Sequence, residues 1–248
     1  MFSLCIPTMN RYDNFLSKYL PQYLKNVMID EIIITDENGS DIKKIKENFP
    51  NCEKLILVQN ETKLGPFLNK IKACSYAKNE WIALIDSDNF ADDHYFLIAK
   101  EYIKNNNIIQ KNIILAPCNA KPRFNYSHLS GFIYKKGNFK SNNDLENQKI
   151  NHNYIHSETL MNTGNYIINK YLIDHLNLSE ENENITKTSA CDVIYMNTLF
   201  FEQLDLHMHV VSNLEYEHVV HDESIYIQTH QNFRDMNESV HHRYRKLV

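Results

Sequence analysis

Two carboxylates, Asp86 and Asp88, stand at i and i+2 directly behind the apolar run Trp81 to Ile85. Leaving a strand inside an acidic turn, such a pair can present hard oxygen ligands to Mg²⁺ or Mn²⁺, ions that keep open positions for substrate phosphates. The competing reading is a solvated turn in which Asp88 or Asn89 caps the following helix; the buried strand immediately before the pair favours the metal. Other strand ends carry related groups. Pro7-Thr8-Met9-Asn10-Arg11 follows the first apolar run, Asp36-Glu37-Asn38-Gly39-Ser40-Asp41 the second, and Asn60 to Gly65 the third. In an open α/β sheet ligands collect outside the carboxyl ends of the strands, so these turns converge on one edge with a single arginine. In the second half, Asp192 opens an apolar helix, a position where the helix dipole favours an anion. His218 and His221 follow a strand, and neutral imidazole suits Mn²⁺ beside carboxylates; among twelve histidines, an ordinary surface position is the alternative for either.

The rest of the composition narrows the chemistry by exclusion. With only five glycines in 248 residues, no pair has the spacing of a Walker loop or of G-x-G-x-x-G, and G-x-S-x-G is missing. A phosphate must therefore be held by a metal, a cation or helix termini. A net charge of −5 gives no global attraction to polyphosphate, which argues against a nucleic-acid partner; only the tail His241, His242, Arg243, Arg245, Lys246 is locally basic. The five cysteines form no C-x-x-C pair and read as reduced thiols. The first strand lacks the basic and apolar regions of a signal peptide, and no later run approaches membrane-spanning length, so a soluble, cytoplasmic chain is expected, at most peripheral to a membrane.

The elements that must position these groups follow from periodicity. Strands are expected at Phe2 to Ile6, Glu31 to Thr35, Lys54 to Val58 and Trp81 to Ile85. Helices are expected at Asn14 to Lys25, Asp41 to Asn48, Pro66 to Lys78 and Asp92 to Asn105. Continuous apolar strands between amphipathic stretches predict an α/β fold with a central, mostly parallel sheet flanked by helices. Beyond residue 107 the pattern loosens. Strands are expected at Asn112 to Ala116, Tyr166 to Ile168 and His207 to Val211, with a strand or hairpin region at Phe124 to Tyr134. Helices are expected at Lys170 to Leu176 and Asp192 to Leu204, and a loop or short helix at Asn142 to His156. One domain is predicted, with a nucleotide-type front half (1–110), a more irregular back half (111–223) and a C-terminal helical extension (224–248).

Four segments carry a family resemblance: Ser3 to Asp13, Glu31 to Asp41, Asn60 to Gly65, and Ala77 to Asp88. In order and spacing they resemble the large inverting family of GT-A glycosyltransferases. The resemblance covers roughly the first hundred residues well. It implies that Pro7, Thr8 and Arg11 line a base pocket, that Asp36 binds uracil or ribose, and that Asp86-Ser87-Asp88 serves the nucleotide sugar, with Asp88 on a Mn²⁺ or Mg²⁺ ion. Lys70 keeps a basic group where the family shows Arg-Asn, while Thr35-Asp36-Glu37 departs from the commoner paired aspartates. The resemblance further implies that Asp192 is the base deprotonating the acceptor, with Glu158, Asp222 and Glu223 the next carboxylates in line, and that His221 or His218 returns to the metal. Gly164-Asn165 resembles the segment facing the donor sugar. The implied activity is metal-dependent transfer, with inversion, of a sugar from a nucleoside diphosphate, UDP first, to a hydroxyl on a glycan, lipid-linked or protein acceptor. A non-catalytic nucleotide-binding module of the same fold is the alternative. A sugar nucleotidylyltransferase is disfavoured because the loop after strand one has no glycine.

Overall fold

The computed structural model describes residues 1–137, 159–186, 191–221, 224 and 234–247. The expected loop at Asn142 to His156, the carboxylates Glu158, Asp222 and Glu223, and the start of the C-terminal extension after Ser224 lie outside the described residues. The front half alternates β1 (Phe2–Thr8), α1 (Ser17–Lys25), β2 (Ile29–Asp36), α2 (Ser40–Asn48), β3 (Leu55–Gln59), α3 (Pro66–Ser75), β4 (Trp81–Leu84) and α4 (Asp93–Asn105). The back half contributes β5 (Ile113–Lys121), β6 (Phe124–Asn125), β7 (Ile133–Tyr134), β8 (Tyr166–Asn169), α5 (Lys170–Asp174), α6 (Glu183–Thr186), α7 (Asp192–Leu204), β9 (His207–Glu217) and α8 (Arg234–Arg245).

All these strands join one nine-stranded sheet in the order β3-β2-β1-β4-β8-β5-β9-β7, with β6 paired to β5. The β3-β2-β1-β4 ladders and the β5–β9 ladder are parallel, and β8 runs antiparallel to both β4 and β5. The mostly parallel α/β expectation therefore holds. Strand alternation divides the core between the two faces. Phe2, Leu4 and Ile6 face one cluster with Leu20, Tyr23, Tyr95 and Phe96. Cys5, Ile82 and Leu84 face the other with Phe67, Cys74, Met196, Leu199 and Phe200. Helices cover both faces, which is why the strands read as continuous apolar runs.

Local chemistry sets the boundaries. Pro66 occupies the first turn of α3, and the Asp92 carboxylate accepts from Tyr95 N at 3.1 Å, so the helix expected from Asp92 begins one residue later with Asp92 as its cap. The helix expected from Asn14 is preceded by a π-helical turn, Tyr12–Leu16, and becomes α-helical at Ser17. The expected strand at His207 to Val211 extends to Glu217, because β5 itself runs to Lys121 and pairs with it on both sides of a register shift between Pro117 and Asn119. The hairpin region at Phe124 to Tyr134 resolves into two short strands around a 3-10 turn at Ser127–Leu129.

The extra length of β9 positions the site. Past the sheet, Phe90 and Glu217 exchange backbone hydrogen bonds of 3.0 and 2.8 Å, and Asn89 Oδ1 accepts from Val219 N at 2.9 Å. This sews the segment carrying His218 and His221 to the turn after β4. At the opposite face, α8 buries Val240 and Tyr244 in the core. Arg243 donates to Glu202 at 2.7 Å through Nε and to Glu181 at 3.0 Å through Nη1, with Tyr195 also donating to Glu181.

His209 on β9 carries a measurable consequence. Its Nδ1 meets the Tyr102 hydroxyl at 3.0 Å, whereas its Nε2 is buried with no hydrogen-bond partner. Burial, with His207 adding to it, pulls the imidazole from 6.5 down to about 4, so it is neutral in the fold but charges more readily once unfolded. The unfolded chain thus binds the extra proton between these values, and stability must fall as pH drops from 6.5 towards 4. A His209→Gln variant, unable to charge, is expected to lose less melting temperature across that interval than the wild type. Parallel melting curves for the two proteins would show that the imidazole titrates normally.

Candidate active site

A cleft of about 1000 Å³ opens at the carboxyl ends of β1 and β4 and is closed on the far side by α7 and α8. Its front wall is the turn after β1, where Pro7, Thr8, Met9 and Arg11 all reach the cleft. That turn is shaped by a buried carboxylate, Asp41. It accepts from Thr8 Oγ1 at 2.6 Å and from the backbone N–H groups of Arg11 and Tyr12 at 3.0 Å. Asp36 in turn holds Asp41, its Oδ2 accepting from the N–H groups of Asp41 at 2.9 Å and Ile42 at 3.1 Å, and its Oδ1 from Asn38 N at 3.2 Å.

Asp36 therefore departs from the expected direct contact with the nucleoside. It is fully buried, outside the cleft lining, and spent on the first turn of α2. Its neighbour Glu37 occupies the cleft instead. Glu37 Oε2 accepts from Leu64 N at 2.8 Å, while Oε1 is buried with no hydrogen-bond partner, and burial raises its carboxyl above the usual range. The signal was the Thr35-Asp36-Glu37 sequence itself: in a turn leaving a strand, one acid can cap the next helix while its neighbour faces outward.

The centre of the cleft is a charge cluster assembled from three elements. Lys70 Nζ on α3 lies 2.7 Å from Asp86 Oδ1 and 2.7 Å from Asp192 Oδ2, with only 8% of the lysine side chain exposed. Burial pulls the ammonium pKa down, but Asp192 and Asp86 outweigh it and the value is raised, so Lys70 stays charged. Burial pushes Asp86 up, Lys70 opposes this, and Asp88 and Asp192 add to it. Two carboxylates thus share a single ammonium, with the Asp88 charge acting on Asp86 from beside them, a surplus of negative charge that a cation would relieve. The Asp86 backbone donates to Asn165 Oδ1 at 2.7 Å. Gly164, at φ +80°, leaves room for that carboxylate: a Cβ there would sit 3.3 Å from Asp86 Oδ2 in a backbone conformation side chains rarely adopt. Ser87 lines the cleft next to it.

Of the two histidines, His221 is the one placed on Asp88, with Nε2 3.1 Å from Oδ2 and about a fifth of each side chain exposed. His218 lines the cleft but its Nδ1 meets the Tyr216 hydroxyl at 3.2 Å. Among the described residues no three His, Cys, Asp or Glu side chains gather as a self-sufficient metal site. Asp88 lines the cleft with His221 in contact behind it, and such a hard-oxygen and imidazole pair fits Mn²⁺ or Mg²⁺, which complete their coordination with phosphate and water. The back wall holds groups that motif spacing did not single out as site residues: Arg123 beside β6, and Arg234, Asn237, His241 and Arg245 along α8. The locally basic tail was a sequence signal for His241 and Arg245, and Arg123, Arg234 and Asn237 had none.

Comparison with known proteins agrees with this geometry. The profile of glycosyl transferase family 2 matches residues 3–164. The chain belongs to glycosyl transferase family 2. A curated family relative, the uncharacterized glycosyltransferase MG060 of Mycoplasma genitalium, is 28% identical over 108 residues, which cover 40% of this chain and 36% of that protein. Among solved structures, S. aureus TarS 1–349 in complex with UDP-GlcNAc superposes with a TM-score of 0.63 at 15% identity, covering 98% of this chain and 66% of that one. The same protein in complex with UDP gives 0.57 at 18% identity, covering 91% and 62%. The chain therefore shares the family 2 fold while spanning about a third of the curated relative and under two thirds of the TarS–UDP chain. Among the described residues no helix is long and apolar enough to cross a membrane.

Two variants test the placements. Lys70→Met leaves Asp86 and Asp192 facing each other without their cation, and is expected to cost about 3 kcal/mol of stability, read as a denaturant midpoint. Asp36→Ala removes the α2 cap and the support of Asp41, costing about 1 to 2 kcal/mol. If Asp36→Ala melted normally but lost UDP binding, Asp36 would be a nucleoside contact after all.

Proposed function

We propose that this family 2 chain moves a sugar from UDP to an acceptor hydroxyl, with inversion at the anomeric carbon and with the help of Mn²⁺ or Mg²⁺. The observation that carries the reading is the Lys70 bridge. It sets a carboxylate from the back half, Asp192, beside the Asp86-Ser87-Asp88 turn, within one cleft. TarS structures with UDP and with UDP-GlcNAc support a UDP-type donor for this fold.

In this reading the nucleoside lies along Pro7, Thr8 and Arg11, with Glu37 offering its unpartnered Oε1 to an N–H or hydroxyl donor. Asp86 and Ser87 face the ribose and sugar. Asp88 and His221 would hold the ion; His218, which lines the cleft but is turned to Tyr216, is the lesser candidate. The ion supplies Lewis-acid stabilisation of charge gathering on the departing diphosphate. Asp192 accepts the proton of the acceptor oxygen as that oxygen approaches the anomeric carbon, where oxocarbenium-like charge builds. Lys70 fixes the orientation of that carboxylate. One displacement then gives inversion.

Asp192→Asn is expected to keep UDP and metal affinity and to lose at least about a hundredfold in transfer, measured with a panel of nucleotide sugars by donor consumption. A chain that binds UDP but releases neither sugar nor UDP under any condition would be a binding module instead. Asp88→Asn and His221→Ala should each weaken Mn²⁺-dependent UDP binding while leaving the metal-free component in place. Metal titrations superposable on the wild type would remove that pair from the ion.

A further inference from the structure

The back wall of the cleft has a charge of its own. Arg234, Asn237, His241 and Arg245 recur on α8 at intervals of three or four residues and all line the cleft, as does Arg123 beside β6. The other stripe of α8, Val240 and Tyr244, is buried in the core, and Arg243 locks the helix to Glu181 and Glu202. The helix therefore cannot roll, and its basic row is held towards the cleft. Among the described residues of this wall the acids are Glu238, 3.7 Å from Arg245, and Asp192, bound by Lys70. The described residues of the wall thus carry a net positive charge in a chain whose net charge is −5. From Arg234 to Arg245 the row spans roughly 16 Å at the α-helical rise. That length suits an extended molecule better than the single diphosphate of a donor.

We propose that the acceptor is an anion: a hydroxyl-bearing chain whose phosphate or carboxylate groups are held by Arg123, Arg234 and Arg245 while one hydroxyl lies at Asp192. The inference rests on the transferase reading and names its acceptor class. Arginine suits the task because its guanidinium can pair with such oxyanions through two parallel hydrogen bonds. In the reaction, the acceptor oxygen forms the new bond to the anomeric carbon and its proton passes to Asp192. The bond from that carbon to the diphosphate oxygen breaks, its electron pair leaving with UDP.

The test measures binding of defined probes to the full chain saturated with UDP and Mn²⁺, so that the donor site is filled. A tri(glycerol phosphate) and trigalacturonate are the anionic probes, phosphate and carboxylate respectively, and maltotriose is the neutral one. At least one anionic probe is expected to bind more tightly than maltotriose and to weaken as salt is raised, and which of the two it is identifies the anion. The doubly substituted Arg234→Gln/Arg245→Gln protein, altered only at exposed positions, should bind that probe at least about tenfold more weakly with unchanged UDP affinity. Maltotriose binding as well as both anions would overturn the proposal, as would a double variant that binds the anion normally. Loss of UDP affinity in the double variant would assign the arginines to the donor diphosphate and overturn it equally. A wild-type chain that fails to bind UDP in the first arm would instead sink the transferase reading beneath it.

Discussion

The cleft depends on one buried cation. Lys70 reaches from α3 to Asp86 behind β4 and to Asp192 at the head of α7, tying together two halves of the chain separated by more than a hundred residues. Without that charge, two partly buried carboxylates would repel across the cleft floor, and each would pay desolvation without compensation. With it, they are held at fixed positions yet still outnumber it. The arrangement is stable enough to fold and negative enough to welcome a further cation. A neutral residue at position 70 could pack the same space but could not set both carboxylates.

A second pair of carboxylates does comparable work out of sight of any ligand. Asp36 gathers the N–H groups that begin α2, which places Asp41, and Asp41 gathers the hydroxyl and N–H groups of the turn after β1. The helix dipole favours both anions where they sit. The consequence is a cleft edge built largely from backbone, whose shape is fixed by two acids beneath it. Functional loops on α/β sheets need this kind of support, because the strands themselves end before the ligand begins.

How far the sequence could be read follows from which interactions are local. The front half was legible because each strand, turn and helix is a continuous segment with its own periodicity, and the D-x-D turn follows its strand within two residues. The sheet order beyond β4 was not. The antiparallel insertion of β8 between β4 and β5 is a choice among distant partners that no single segment encodes. The same distinction separates the site residues. Asp86, Asp88, Lys70 and Asp192 were found as candidates, but that Lys70 joins Asp86 to Asp192 depends on a contact 122 positions apart. Asp36 and Glu37 show the opposite failure: the segment was right, and which of two adjacent acids turns outward was settled by the α2 amides.

The back wall shows why a family-wide pattern stops short of specificity. The far side of the cleft is closed by α8, whose placement arises from packing. Val240 and Tyr244 sink into the core, Arg243 clamps to Glu181 and Glu202, and the clamp also engages Tyr195 in the first turn of α7, three residues after Asp192. The cleft-facing row of α8 and Asp192 are thereby fixed to one another by the same ionic cluster. The cleft-facing row of α8 can then vary while its buried row and its clamp, and hence the placement of Asp192, stay as they are.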